Sequence, residues 1–224
     1  MADRQSANPP GRYVTAAGRR GLTDLYDPAL ALTMREKTWR PDVVNAILAE
    51  PRPRRVVDVG TGTGTLAIGI ARRAPDVKVT GVDGDSAILA KAAAKAAAAG
   101  VQIELLGGLA ENLPVAGGAA DVVVMTLVLH HLTAESKRAA LMEAHRVLRP
   151  GGRLVIADWG KPIGPVSRGL FFLLQLLDGF ATTRDHAAGA IPGVIEACGF
   201  VDVHRARRWR TAWGTLELLT GERA

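Results

Sequence analysis

Two carboxylates beside a run of alternate glycines define the first candidate chemistry. Val56-Val57-Asp58-Val59-Gly60-Thr61-Gly62-Thr63-Gly64 carries a β-branched run into three spaced glycines. Such a turn lets backbone N–H groups approach a ligand closely. A dinucleotide is one reading. Counted from Gly60, its fingerprint needs Gly or Ala where Thr65 stands; counted from Gly62, the GxGxxA form fits through Ala67. Asp58 argues the other way, because a carboxylate two residues before the first glycine repels a pyrophosphate and suits an ammonium group. Asp83 stands 23 residues beyond Gly60, at the end of the next β-branched run. A carboxylate there can accept from both hydroxyls of an adenosine ribose; Asp85 or Ser86 reads as the cap of the following helix.

A second group lies further along. His130 and His131 follow one apolar run and Asp158 ends the next, which puts imidazole and carboxylate at the sheet edge where open α/β folds bind ligands. One of the histidines is equally suited to a buried structural place. Phe171-Phe172-Leu173-Leu174-Gln175-Leu176-Leu177 and Phe180 fit core packing, the wall of a pocket for an apolar small molecule, or an exposed patch for a homodimer or a membrane.

These residues need a scaffold, and the pattern supplies one. Arg54–Val59, Val77–Val82, Val101–Leu106, Asp121–Thr126 and Arg153–Asp158 read as strands. Helical stretches alternate with them: Thr65–Arg73, Ser86–Ala99 and Glu135–Leu148, the last stopped by Pro150-Gly151-Gly152. This alternation predicts an α/β fold, doubly wound on a mostly parallel sheet. Helices at Gly169–Phe180 and His186–Cys198 break the rhythm. Two final strands, Val201–Arg208 and Thr211–Leu219, are separated only by Trp209-Arg210, which permits an antiparallel hairpin and no crossover. The sheet is therefore seven-stranded, with an antiparallel C-terminal hairpin.

Residues 1–24 read as a loose arm and 25–53 as a helical cap interrupted near Pro41. Residues 54–224 form the main domain, with 159–200 as a helical insertion. The 224 residues suit one such domain. With 48% hydrophobic and 22% charged residues, wholesale disorder is excluded. No apolar run approaches the ~20 residues of a transmembrane span, and no secretory leader is visible. The single Cys198 excludes an intramolecular disulfide framework and a cysteine-built zinc site, so a cytoplasmic location and no metal are expected. The 28 basic and 22 acidic residues give +6, but the basic residues are interleaved with acids, which fits a solvated surface better than nucleic-acid binding.

Six stretches, in order, resemble the motifs of class I S-adenosylmethionine-dependent methyltransferases. They are Asp58–Gly64, Gly81-Val82-Asp83, Leu113-Pro114, Asp121-Val122-Val123, Leu129-His130-His131-Leu132 and Val147–Gly152. The likeness spans roughly residues 54–158 and implies the Rossmann-like methyltransferase fold, with S-adenosyl-L-methionine as cofactor. It implies that Gly60, Gly62 and Gly64 line the methionine portion with Thr61 nearby, and that Asp58 helps hold the amino end. Asp83 would take the ribose hydroxyls, Gly84 would lie close to the adenine, Ala110 and Glu111 would border it, and Thr126 would approach the methionine. Relatives often carry Asp where this chain has Leu109, which leaves adenine to packing and backbone contacts.

Methyl transfer from a sulfonium is an in-line displacement that needs positioning above all. Where the acceptor must lose a proton, His130 is the candidate base, with Asp158 orienting an acceptor or capping the turn, and Tyr26 either folding over the site or serving packing or a turn. The insertion would cover a small, apolar or aromatic methyl acceptor. Tyr26-Asp27 and Trp39-Arg40 also resemble the quinone-ring C-methyltransferases, without the asparagine that follows their Tyr-Asp. Two other readings are an RNA or DNA methyltransferase, which lacks its Asn/Asp-Pro-Pro-Tyr/Phe motif at Thr126–Leu129, and a cofactor-binding sensor without turnover.

Overall fold

A computed structural model describes residues 35–224, apart from the side chains of Leu177 and Asp178. The arm at 1–24, Tyr26 and Asp27 lie outside the described residues. The chain runs α1 (Glu36–Ile47), β1 (Arg55–Val59), α2 (Thr65–Arg73), β2 (Lys78–Asp83), α3 (Ser86–Ala98), β3 (Glu104–Gly107) and β4 (Ala120–Thr126). A 3-10 turn (Leu129–His131) then leads to α4 (Ala134–Val147) and β5 (Leu148–Trp159). Next come α5 (Gly164–Asp178), α6 (Phe180–Ala188), α7 (Ile191–Ala197), β6 (Phe200–Thr211) and β7 (Gly214–Arg223). The sheet order is β3-β2-β1-β4-β5-β7-β6. β1 to β5 are parallel, and β7 runs antiparallel to both its neighbours.

Side chains alternate between the two faces of each strand, so the central strands feed two cores. Val56, Val122, Val124, Val155 and Ala157 pack with Trp39, Val43 and Ile47 of α1, Leu66 and Ile70 of α2, and Phe171 and Leu174 of α5. Val57, Val59, Val123, Met125 and Ile156 pack with Leu141 and Ala144 of α4 and Ile191 and Ile195 of α7. Helices on both faces explain the unbroken apolar character of β4.

Several boundaries differ from the sequence expectation. Pro41 does not interrupt α1, because burial of Trp39, Val43, Val44 and Ile47 outweighs one missing backbone bond near the helix start. β3 starts at Glu104, three residues later than expected. Pro150-Gly151-Gly152 does end α4, yet β5 already begins at Leu148. The register passes from Ala120↔Leu148 to Val122↔Arg153, so the Pro-Gly-Gly is a bulge inside the strand. Helix 186–198 is two helices, since Gly189 turns left-handed at φ 72°. The hairpin loop is Ala212-Trp213, three residues beyond the expected place, with Trp209 and Arg210 paired in the ladder. Thr211 decides this: its Oγ1 accepts from Trp213 N and donates to Gly214 O, closing the turn locally. Among the described residues, no helix is long and apolar enough to cross a membrane.

Candidate functional site

β1 delivers Asp58 and then the glycine loop to the carboxyl edge of the sheet. Gly60 N and Thr61 N both donate to Val82 O, at 2.8 and 3.0 Å, which ties the loop to the end of β2. Gly60, Gly62 and Gly64 all have φ between 55° and 74°, the left-handed region that other residues enter only with strain. The space beside the Gly62 Cα is open, with no heavy atom within 4 Å of where a Cβ would sit.

Asp58 lies beneath this loop, 2% exposed, and Oδ2 accepts from Thr61 Oγ1 at 2.8 Å. Its pKa is pushed up to about 6. Burial is the main cause and the Asp83 charge adds to it, against the Thr61 hydrogen bond and the Arg40 guanidinium. Arg40 itself pairs with Glu36 at 2.8 Å and lies 5.0 Å over the Trp39 ring. A buried carboxylate held in this way gains from a cationic ligand.

Asp83 ends β2. Oδ2 accepts from Gly62 N at 2.9 Å and Oδ1 from Asp85 N at 3.0 Å, so this carboxylate links the glycine loop to the start of α3. Asp85 caps α3 through Ala87 N and Ile88 N. Gly84 between them is exposed. Gly108 N donates to Asp83 O at 3.1 Å, which draws Leu109, Ala110 and Glu111 toward the same strand end. Leu109 is 38% exposed and bridges to Asn112.

Thr126 ends β4 one step beyond the Val59↔Met125 pair, and its Oγ1 is buried without a hydrogen-bond partner. The open cradle at Gly62, the orphaned Thr126 hydroxyl and the cation-seeking Asp58 all fit an ammonium- and sulfonium-bearing nucleoside.

The structure brings His130 and Asp158 together. His130 Nδ1 lies 2.7 Å from Asp158 Oδ1. Asp158 also accepts from Trp159 N at 2.7 Å and, through Oδ2, from Leu129 N at 2.8 Å. Burial works to raise the Asp158 carboxyl, but the imidazoles of His130 and His186 and these hydrogen bonds hold it below the usual range. With both oxygens engaged, Asp158 orients His130 and the 3-10 turn. His131 is pushed down to about 3, first by burial and then by His130, so it is neutral at working pH. Asp158 shares a sheet face with Ile156, the α4 and α7 side; Asp58 and Thr126 project to the α1, α2 and α5 side. The two groups thus lie on opposite faces of the same carboxyl edge, and Val128, between β4 and the 3-10 turn, sets its Cγ2 in the space beside Gly60.

The sequence reading passed over three residues. His186 on α6 is fully buried, lies 2.6 Å through Nδ1 from Trp159 O, and stands 6.3 Å ring to ring from His130. Lys137 on α4 is also buried and donates to Thr182 O and Asp185, fastening α6 to α4. Trp159 closes β5 with its indole nitrogen buried and unpartnered. A lone histidine or lysine within a helical pattern carries no mark of its partner in sequence. Position was the only available signal for Trp159, next to Asp158.

A model described as a methyltransferase domain matches residues 56–152. A demethylmenaquinone methyltransferase of Thermus thermophilus is 37% identical over 164 residues, 71% of this chain and 73% of that protein. The ubiquinone/menaquinone biosynthesis C-methyltransferase UbiE of Syntrophotalea carbinolica is 34% identical over 136 residues, 61% of this chain and 56% of its own length. In fold, magnesium protoporphyrin IX methyltransferase (ChlM) of Synechocystis PCC 6803 superposes with a TM-score of 0.68 at 23% identity, covering 86% of each chain. The chain belongs to the class I S-adenosylmethionine-dependent methyltransferases. Its cofactor is S-adenosylmethionine.

Proposed function

We propose that the chain methylates a ring carbon of an apolar, quinone-type acceptor. The observation that carries this reading is the buried aromatic cluster that begins at the carboxyl end of β5. There Trp159 meets Phe171 edge-on at 6.5 Å, with Trp39 and Leu174 in the same cluster. The similar T. thermophilus and S. carbinolica proteins, named for demethylmenaquinone and for ubiquinone and menaquinone, support the ring class.

Bound S-adenosylmethionine supplies a methyl group on a cationic sulfur. Asp58 attracts the amino end, Asp83 takes the ribose hydroxyls, and Ala110 and Glu111 border the adenine beside Gly84. Gly60, Thr61, Gly62 and Gly64 provide backbone contact, and Thr126 lies at the methionine. The helices of residues 159–200 cover the acceptor and exclude water. Carbon methylation forms a C–CH₃ bond and releases one ring proton. His130 accepts that proton at Nε2, and Asp158 stabilises the resulting imidazolium through Nδ1.

Three of the four β6 arginines are paired within the chain, which does not favour a nucleic-acid substrate. Arg205 and Arg208 pair with the buried Glu217, and Arg207 pairs with Asp42.

Incubation with methyl-labelled S-adenosylmethionine and 1,4-naphthohydroquinone tests the proposal. Label on a ring carbon is the expected product. Label on oxygen would overturn carbon methylation, and absence of transfer would overturn the acceptor class.

A further inference from the structure

Two orphaned polar atoms lie on one sheet face near the carboxyl ends of the central strands. Thr126 Oγ1 and Trp159 Nε1 are buried, and neither has a hydrogen-bond partner. Thr126 pairs in register with Ala157, and Trp159, two residues on, projects to the face of Ala157. Thr126, two residues beyond Val124, projects to that face as well, as does Asp58. The hydroxyl and the indole nitrogen therefore share the face that the cofactor groups occupy.

An indole nitrogen can only donate, and a buried donor left unmade is rare in native proteins. Packing alone would be served as well by phenylalanine, which has no donor to satisfy. The backbone of Trp159 is also held on both sides: its N–H donates to Asp158 Oδ1 at 2.7 Å, and its carbonyl accepts from His186 Nδ1 at 2.6 Å. Phe171 packs edge-on against the ring. The indole is thus fixed between the Phe171 ring and the His130 imidazole, 6.2 Å ring to ring, an arrangement that suits a flat ligand carrying an uncharged oxygen acceptor.

We infer that Trp159 determines acceptor specificity: its indole N–H donates to a ring carbonyl or hydroxyl oxygen of the methyl acceptor. The inference rests on the ring-type acceptor proposed above. Asp158 and His186 then act as positioning residues that hold Trp159.

The test compares 2,3-dimethyl-1,4-naphthoquinone with 2,3-dimethylnaphthalene, which share the fused-ring outline and both methyl groups and in which two ring C–H groups replace the two carbonyls. Both are titrated into the full chain saturated with S-adenosylhomocysteine. The wild type is expected to bind the quinone about tenfold more tightly than the hydrocarbon, and Trp159→Phe to lose most of that ratio. Affinity for S-adenosylhomocysteine should not change. In the wild type the Trp159 indole ¹⁵N–¹H resonance, assigned through its backbone, should move downfield with the quinone and not with the hydrocarbon. That measurement decides the matter even if Trp159→Phe does not fold. A retained ratio in the variant with an unmoved resonance would overturn the inference and leave the proposed function standing. Failure of the wild type to bind either probe would overturn both.

Discussion

His130 Nδ1 and Asp158 Oδ1 lie 2.7 Å apart in the interior, and the same carboxylate receives the Leu129 and Trp159 backbone N–H groups. One side chain thus fixes the imidazole, the turn after β4 and the end of β5. Charge-assisted bonds of this kind contribute about 1.5–3 kcal/mol each, so the cluster sets both geometry and stability.

Asp158→Asn keeps the size, removes the charge that stabilises a protonated His130, and leaves one of the N–H donors that face the carboxylate opposite an amide NH₂. Methyl-transfer kcat should fall about 10- to 100-fold, with the affinity for S-adenosylhomocysteine unchanged by calorimetry. Asp158→Ala also strands two backbone donors and should cost about 3 kcal/mol of stability in urea unfolding. Full activity in Asp158→Asn would remove His130 from the proton path.

Asp58 gives cofactor binding a pH dependence. Its folded pKa is raised from 3.8 to about 6, so below about pH 6 the carboxyl is neutral and gains nothing from an ammonium group. Affinity for S-adenosylhomocysteine should weaken as pH falls through 6, by up to about tenfold per pH unit. Binding at pH 5.5 should release protons, seen by calorimetry in two buffers of different ionisation enthalpy. Asp58→Asn should flatten the profile. The ligand-free protein behaves oppositely: a raised carboxyl binds more protons folded than unfolded, so Asp58 makes stability decline between pH 4 and 6.

Asp83→Ala removes the proposed ribose acceptor together with the partner of Gly62 N. Two charge-assisted bonds lost imply at least a 100-fold weaker complex with S-adenosylhomocysteine. The conservative change Asp83→Glu keeps the carboxylate and should lose less. Unchanged affinity in Asp83→Ala would place the nucleoside elsewhere.

His131 and His186 should set the acid limb of stability. Burial lowers both pKa values, that of His131 to about 3. The unfolded chain therefore binds more protons below about pH 6.5, and stability falls as pH drops from there. The melting temperature should decline from pH 7 to 4.5, and His131→Asn should make that decline shallower.

The sequence alone determined the alternation of five strands and their helices, the antiparallel end of the sheet and the glycine loop between Asp58 and Asp83. These features are local: β-branched runs, helix caps and left-handed glycines act over a few residues, and the hairpin follows from a connection too short for a crossover. The sequence also determined His130 and Asp158 as candidates, through their places after strand ends. Only the tertiary structure decided that these two touch, that both Asp158 oxygens are consumed, and that Asp58 and Asp158 project from opposite sheet faces. It likewise set β7 between β5 and β6, put Pro150-Gly151-Gly152 into a bulge, and brought His186 and Lys137 in from helices distant in the chain. Such outcomes depend on strand register and on burial between segments far apart in the chain, and no short-range pattern encodes either.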